Sequence, residues 1–350
     1  MPLKIQVQEQ GRDDDFGIMR KEVRFPIPFP IGTTLIETPT KAVKNPSSAL
    51  SHISSINEVV KKIFPRTLES IWNATDSPSR SVRSHFLPNK LNLSIFEIML
   101  DRVPDKEKLR SLTSYWYAAS QSVLFLPTPS SKMLKDEEAF SERKVTEYVD
   151  MLRYMIETTL SVGNNKTFIG TVPLLSPKLS SMIVKLYLDK DFNAFAIDAG
   201  TKDILYHEPE FRSILTQINE KVSLSKAFIY ACNLGIPQFD KYKARADDFL
   251  SLFAYVDVFG GTFKTRGGPG FSFGVSKVKK FLRSELRYQH LYNTKDKMND
   301  FNQREQVTET NVVRPLIGVD KIQKYLDGKE GVDSSALKRL GSIAKEVKAV

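Results

Sequence analysis

Cysteine is nearly absent from this 350-residue chain, which has one, Cys232. A single thiol excludes a disulfide framework within the chain and a cysteine-built zinc cluster. It points to a reducing compartment. Cys232 lies in FIYACNLG, which reads as a buried strand, so packing is its expected role rather than nucleophilic attack. Histidine is scarce as well: His52, His85, His207 and His290 are scattered, with no pair at metal-ligand spacing. No metal and no cofactor is expected. No apolar run approaches the ~20 residues of a membrane span, and the opening MPLKIQVQEQGRDDDFG lacks an apolar signal core. The expectation is a soluble, cytoplasmic protein without a membrane partner. No order of serine, histidine and aspartate supports a hydrolytic triad, and no fixed-period repeat is present.

Hydrophobic residues make up 41% and charged residues 26%, enough apolar content to bury a sizeable core. The formal net charge is +10. That balance favours a polyanionic partner, nucleic acid or an acidic membrane face; a basic enzyme with no such partner is the alternative.

Two styles of sequence follow one another. VRFPIPFPIGTTLIETPTKAVKNPSS alternates apolar residues with prolines, as short edge strands do. SINEVVKKIF and LNLSIFEIMLDRV have helix-like apolar spacing. The stretch between them reads as a loop exposing Ser79, Arg80, Arg83 and Ser84. From about residue 120, short apolar runs (SVLFLPTPS, KTFIGTVPLL, FNAFAIDAG, AFIYACNLG, VDVFGG) alternate with amphipathic segments at βαβ spacing. Their continuous apolar character suits strands buried on both faces, as in a parallel sheet. A (β/α)8 barrel of the TIM type is the leading reading, with a doubly wound sheet second. In either, chemistry belongs at the strand carboxyl ends, here Pro127–Ser130, Thr171–Leu174, Asp198–Gly200, Asn233–Gly235 and Gly260–Arg266. The barrel, with an irregular N-terminal part, is assigned to residues 1–275, and a basic helical extension to 276–350. VSKVKKFLRSELRYQHLYN reads as a basic helix and NTKDKMNDFNQREQVTETN as a polar loop. DSSAL caps one of the last short helices.

Candidate residues follow from that frame. Asp198, after FAI and before a small-residue turn, is placed at the barrel mouth. There it can serve as nucleophile, base or hydrogen-bond partner to a heterocycle, or simply cap the turn. Asp257, on the last strand, is a second catalytic candidate if it faces inward; the alternative is a buried ion pair. Gly260, Gly261, Lys264, Arg266, Gly267 and Gly268 form a phosphate-binding candidate, since glycine lets backbone N–H groups approach an anion. The order of a Walker loop is absent, and a plain corner is the alternative. Lys279, Lys280, Arg283 and Arg287 can track a nucleic-acid backbone, or form a solvated face. The aromatic Tyr115–Tyr117 stretch can stack on bases or pack under the barrel.

Several of these strand ends resemble the tRNA-guanine transglycosylase family and its DNA-modifying relatives. The likeness runs from Ile169 to Gly270, with an echo at LIETPT, Leu35 to Thr40. KTFIGTVP, FNAFAIDAG, IYACNLGIPQ and YVDVFGGTFKTRGG match four family strands in order, with Asp257, Phe259, Thr265 and Arg266 in register. The resemblance implies a zinc-containing (β/α) barrel that exchanges guanine for a 7-deazaguanine in nucleic acid, DNA or tRNA. The chain departs from that pattern at the sites of chemistry. The family's nucleophile position holds Gly260, its base-reading glutamine Pro173, and its glycine pair Asp198 and Ala199. The base-reading aspartate falls near Pro127, the Asp-Ser-Gly-Gly segment has no counterpart, and the zinc ligands are missing. Three readings stay open: a divergent enzyme of base modification, a binding subunit that holds nucleic acid or a catalytic protein partner, and an unrelated barrel enzyme acting on a small phosphorylated substrate.

Overall fold

The computed structural model describes residues 3–13, 15–26, 33–44, 54–73, 82, 85–100, 103–126, 142–163, 165–238, 242–263 and 275–349. Pro127–Ser130, Ser79, Arg80, Arg83, Ser84, His52, Lys264, Thr265, Arg266, Gly267 and Gly268 lie outside the described residues.

The proline-punctuated start forms an antiparallel sheet of β1 (Gln6–Arg12), β2 (Met19–Pro26) and β3 (Thr33–Thr38). In β2, Met19, Lys21, Val23 and Phe25 share the buried face, the alternation of a sheet covered on one side. The chain then enters a parallel ring. Its members are β4 (Thr40–Lys41), β5 (Val43–Lys44), β6 (Ile56–Ile63), β7 (Leu91–Ile98), β8 (Val123–Leu126), β9 (Thr167–Pro173), β10 (Ala194–Asp198) and β11 (Phe228–Cys232). After a detour through β12 (Lys243–Arg245), β13 (Val258–Phe259) completes it. The hydrogen-bonded order is β4-β13-β11-β10-β9-β8-β7-β6-β5, every pair parallel. β4 and β5 are one stretch, joined by Ala42, whose N–H donates to the Phe259 carbonyl at 3.0 Å. The two ends of that order therefore meet, and nine ladder members make eight strand positions: a (β/α)8 barrel. Helices Pro65–Trp72, Lys106–Ala119, Glu142–Val162, Pro177–Leu188 and Glu208–Lys221 connect successive strands.

Inward residues such as Leu93, Ile95, Phe125, Ile169, Ala196, Tyr230 and Val258 fill the barrel. Outward ones such as Phe195, Ile197 and Ile229 pack under the helices, where Tyr115 and Trp116 are also buried. The N-terminal sheet closes the amino end. Phe25 meets Phe228 edge-on with ring centroids 5.2 Å apart, and Thr167 Oγ1 donates to the Pro26 carbonyl at 3.0 Å. Phe228 and Thr167 each begin a strand, so the opposite end is the mouth.

Three local expectations are corrected. SINEVVKKIF and LNLSIFEIML form strands β6 and β7, not helices: the runs are short and rich in β-branched residues, which outweighs apolar spacing. The basic segment carrying Lys279, Lys280, Arg283 and Arg287 is not a helix but a hairpin of β14 (Val275–Leu282) and β15 (Arg287–Thr294). Leu286 takes the left-handed turn position at φ 52°, β12 pairs with β15, and Phe281, Leu286 and Tyr288 reach the core. The polar segment after it is a helix, Lys295–Val313, burying Met298, Gln306, Val307, Glu309, Thr310 and Val313; its low apolar content hid the stripe. The final helix, Ser334–Lys348, starts where DSSAL places it, with the Asp333 carboxylate accepting from the Ala336 N–H at 2.7 Å. This helix lies along the barrel wall: Asn219 donates to the Val347 carbonyl at 3.0 Å, and Arg212 pairs with Glu346 at 2.7 Å.

Candidate site at the barrel mouth

Strand alternation decides where Asp198 points. Ala194 and Ala196 line the barrel interior, so two residues on Asp198 faces inward at the carboxyl end of β10. It is 5% exposed. Its Oδ1 accepts from the Gly200 N–H at 3.0 Å and from Asn233 Nδ2 at 2.9 Å. The first bond is the turn cap, so the cap and the mouth position coexist in one residue.

Asn233 is the hub that sequence reading passed over, noted only as a strand end. It follows β11 with φ 52°, a conformation asparagine tolerates better than most side chains. Its Oδ1 accepts from the Phe263 N–H at 2.8 Å, and its own N–H donates to the Gly261 carbonyl at 3.2 Å. Asn233 thereby joins Asp198 to the loop that leaves β13.

That loop is gripped from below by Glu58. The side chain is fully buried on β6, with Oε2 accepting from the Gly261 N–H at 2.8 Å and Oε1 from the Tyr230 hydroxyl. A Cβ at position 260 would overlap both the Tyr230 hydroxyl and Glu58 Oε1. Glycine is needed there for close packing. The Gly260 N–H donates to the Ala231 carbonyl at 2.7 Å. The amides of Gly260 and Gly261 are thus engaged inside the protein, not presented to a phosphate. Burial, and then the Glu58 charge, hold the Tyr230 hydroxyl well above the usual phenol range. Burial lowers the Lys44 ammonium, with Glu58 pulling it back up.

The rest of the rim is polar. Lys62 and Glu97, opposite each other near the carboxyl ends of β6 and β7, pair at 3.1 Å. Thr171, across from Ala196, has a buried hydroxyl with no hydrogen-bond partner among the described residues. Glu58, Lys62 and Glu97 were hidden from the sequence because their strands read as helices; in INEVVKKI polar and apolar residues come in pairs, and the β-branched content was the available signal.

Asp257 lies at the other end. Its carboxylate contacts Lys21 Nζ at 2.8 Å and accepts from the Ile229 N–H at 2.8 Å. Lys21 also donates to the carbonyls of Leu224 at 2.7 Å and Ala227 at 3.0 Å. Burial raises the Asp257 carboxyl, and Lys21 works against it. The two aspartates do not converge. Of the basic hairpin residues, Arg283 bonds Glu309 at 2.9 Å, Arg287 donates to the Glu330 carbonyl at 2.6 Å, and Lys280 lies over the Phe301 ring at 5.2 Å. Lys279 is exposed. Among the described residues, no group of three histidine, cysteine or acidic side chains is placed to hold a metal ion, and no helix is long and apolar enough to cross a membrane.

The parallel ring and its polar mouth define the chain as a (β/α)8 barrel. No family model matches it, and no curated protein does. Among solved structures it is similar to a glucosidase from Croceicoccus marinus, at 9% identity and a TM-score of 0.39, covering 75% of this chain and 63% of that one. The chain spans less than two thirds of that protein, and a likeness this low carries no functional argument.

Proposed function

We propose that this chain is a divergent transglycosylase-like barrel acting in base modification of nucleic acid, with Asp198 as the working carboxylate. One observation supports this above the others: an inward aspartate at a strand carboxyl end, tied through Asn233 to the loop leaving β13. In guanine/7-deazaguanine exchange, an Asp198 oxygen bonds to the anomeric carbon as the glycosidic bond breaks. The electron pair leaves with the departing base, which takes up a proton. The incoming base, losing a proton, reverses the steps, and nothing is oxidised or reduced. Thr171 is the neighbouring polar group suited to orient a base. The engaged amides of Gly260 and Gly261 leave any phosphate contact to Lys264, Arg266 and the glycines beyond.

A second reading has its own support. The place after Phe259 has no room for a side chain, because Glu58 and Tyr230 occupy it. A barrel that holds nucleic acid or a catalytic partner without reacting is consistent with that. Incorporation of labelled guanine into tRNA and DNA separates the two readings. Base exchange requires incorporation by the wild type and at least a hundredfold loss in Asp198→Asn. Incorporation undiminished in that variant removes Asp198 from the chemistry, and binding without incorporation selects the second reading.

A further inference from the structure

The three-stranded sheet β12-β15-β14 has one face divided in two. Near the turn, Ala244, Phe281 and Tyr288 are buried. Farther along the same face the residues come out into solvent. The register sets Lys279 opposite His290 and Lys277 opposite Tyr292. The His290 N–H donates to the Tyr242 carbonyl at 2.9 Å, extending the β12 pairing by one residue. Tyr242, His290 and Lys279 therefore run in a row across the sheet, with Tyr292 and Lys277 in the next. Tyr292 is 75% exposed and Tyr242 69%. Lys277 and Lys279 are exposed.

A tyrosine ring held on a strand and left in water has no packing reason to be there, and two on one face among lysines make a consistent surface. We infer that this face binds single-stranded nucleic acid, with Tyr242 and Tyr292 stacking on bases and Lys277 and Lys279 lying along the phosphates. The two rings occupy diagonal positions about 7–8 Å apart, a spacing that two splayed bases of one strand can meet. Every base has a π-face, so such a platform is tolerant of sequence, and the lysines match the polyanion as the net charge of +10 does. A rigid duplex keeps its bases stacked and cannot use the rings. Arg283, Arg287 and Lys280, held within the chain, take no part. The inference rests on the nucleic-acid reading above but not on catalysis at Asp198.

Fluorescence anisotropy of the full chain with labelled dT15, rU15 and a 15-base-pair duplex tests it. Both single strands are expected to bind more tightly than the duplex at equal salt, and the relative affinity of dT15 and rU15 names the polymer. Tyr242→Ala/Tyr292→Ala should weaken single-strand binding at least tenfold, and Tyr242→Phe/Tyr292→Phe should restore it, which misfolding would not allow. Lys277→Gln/Lys279→Gln should flatten the log-log salt slope by about 1.4, at roughly 0.7 per phosphate on a single strand. Base exchange is read from labelled-guanine incorporation and the platform from single-strand affinity of the tyrosine variants, so failure of one is distinguishable from failure of the other. Equal affinity of the alanine double variant, preference for duplex, or no single-strand binding by the wild type would overturn the inference.

Discussion

The two ends of the barrel each hold a buried aspartate, and the two are held differently. At the amino end, Asp257 faces Lys21 at 2.8 Å under a plug formed by β1, β2 and β3, and Lys21 spends its remaining donors on two carbonyls. Charge meets charge, and every partner is fixed. At the mouth, Asp198 accepts from the neutral donors Gly200 and Asn233, near the Thr171 hydroxyl, which has no partner among the described residues. The first arrangement secures a junction between two sheets. The second is the arrangement on which the proposed function rests. An aspartate at the end of an apolar run reads alike in both cases; which end of the strand it occupies separates structure from function.

The largest effect is expected at the plugged end. Asp257→Ala strands a buried ammonium and should cost about 3–5 kcal/mol by urea unfolding. Lys21→Met/Asp257→Leu, which removes both charges, should cost less than the single change; equal costs would break the account of the pair. At the mouth, Glu58→Ala leaves the Tyr230 hydroxyl and the Gly261 N–H without their acceptor, and about 1–3 kcal/mol should be lost. Asn233→Ala should cost about 1 kcal/mol. Its sharper readout is hydrogen exchange, with the Phe263 amide exchanging faster once the Oδ1 acceptor is gone. An unchanged rate would separate Asp198 from the loop.

A pH-dependent effect concerns Asp247, on the link into β13. Burial pushes its carboxyl up to about 7; Arg245 opposes this and Asp203 adds to it. The folded-state value lies above the unfolded one, so between about pH 4 and 7 the folded chain keeps a proton that the unfolded chain has released. Stability from this group is full below that window and falls as the pH rises through it. Asp247→Asn should flatten the dependence, and an unaltered slope in thermal melts across the window would contradict the assignment.

The parallel half of the barrel was legible because β8 to β11 are buried on both faces and alternate with amphipathic segments, a pattern few folds share. β6 and β7 were not, since INEVVKKI and LNLSIFEI carry polar residues from the strand starts (Asn57, Asn92) to the mouth (Lys62, Glu97), and this breaks the apolar run. The hairpin was misread because its lysines and aromatics repeat at intervals that suit a helix as well as a strand; pairing with β12, a long-range fact, decided it. Asp198 was legible from its turn. Asn233 and Glu58 were not, because their partners are distant in sequence: Asp198 for the first, Gly261 and Tyr230 for the second.

Titration calorimetry of free guanine into three proteins tests the contrast between the ends most directly: the wild type, Asp198→Ala, and Lys21→Met/Asp257→Leu. Binding by the wild type and the plug variant, with at least a tenfold loss in Asp198→Ala, is the expected result. Equal binding by Asp198→Ala and the wild type, or a loss confined to the plug variant, would contradict the assignment of the mouth as the site.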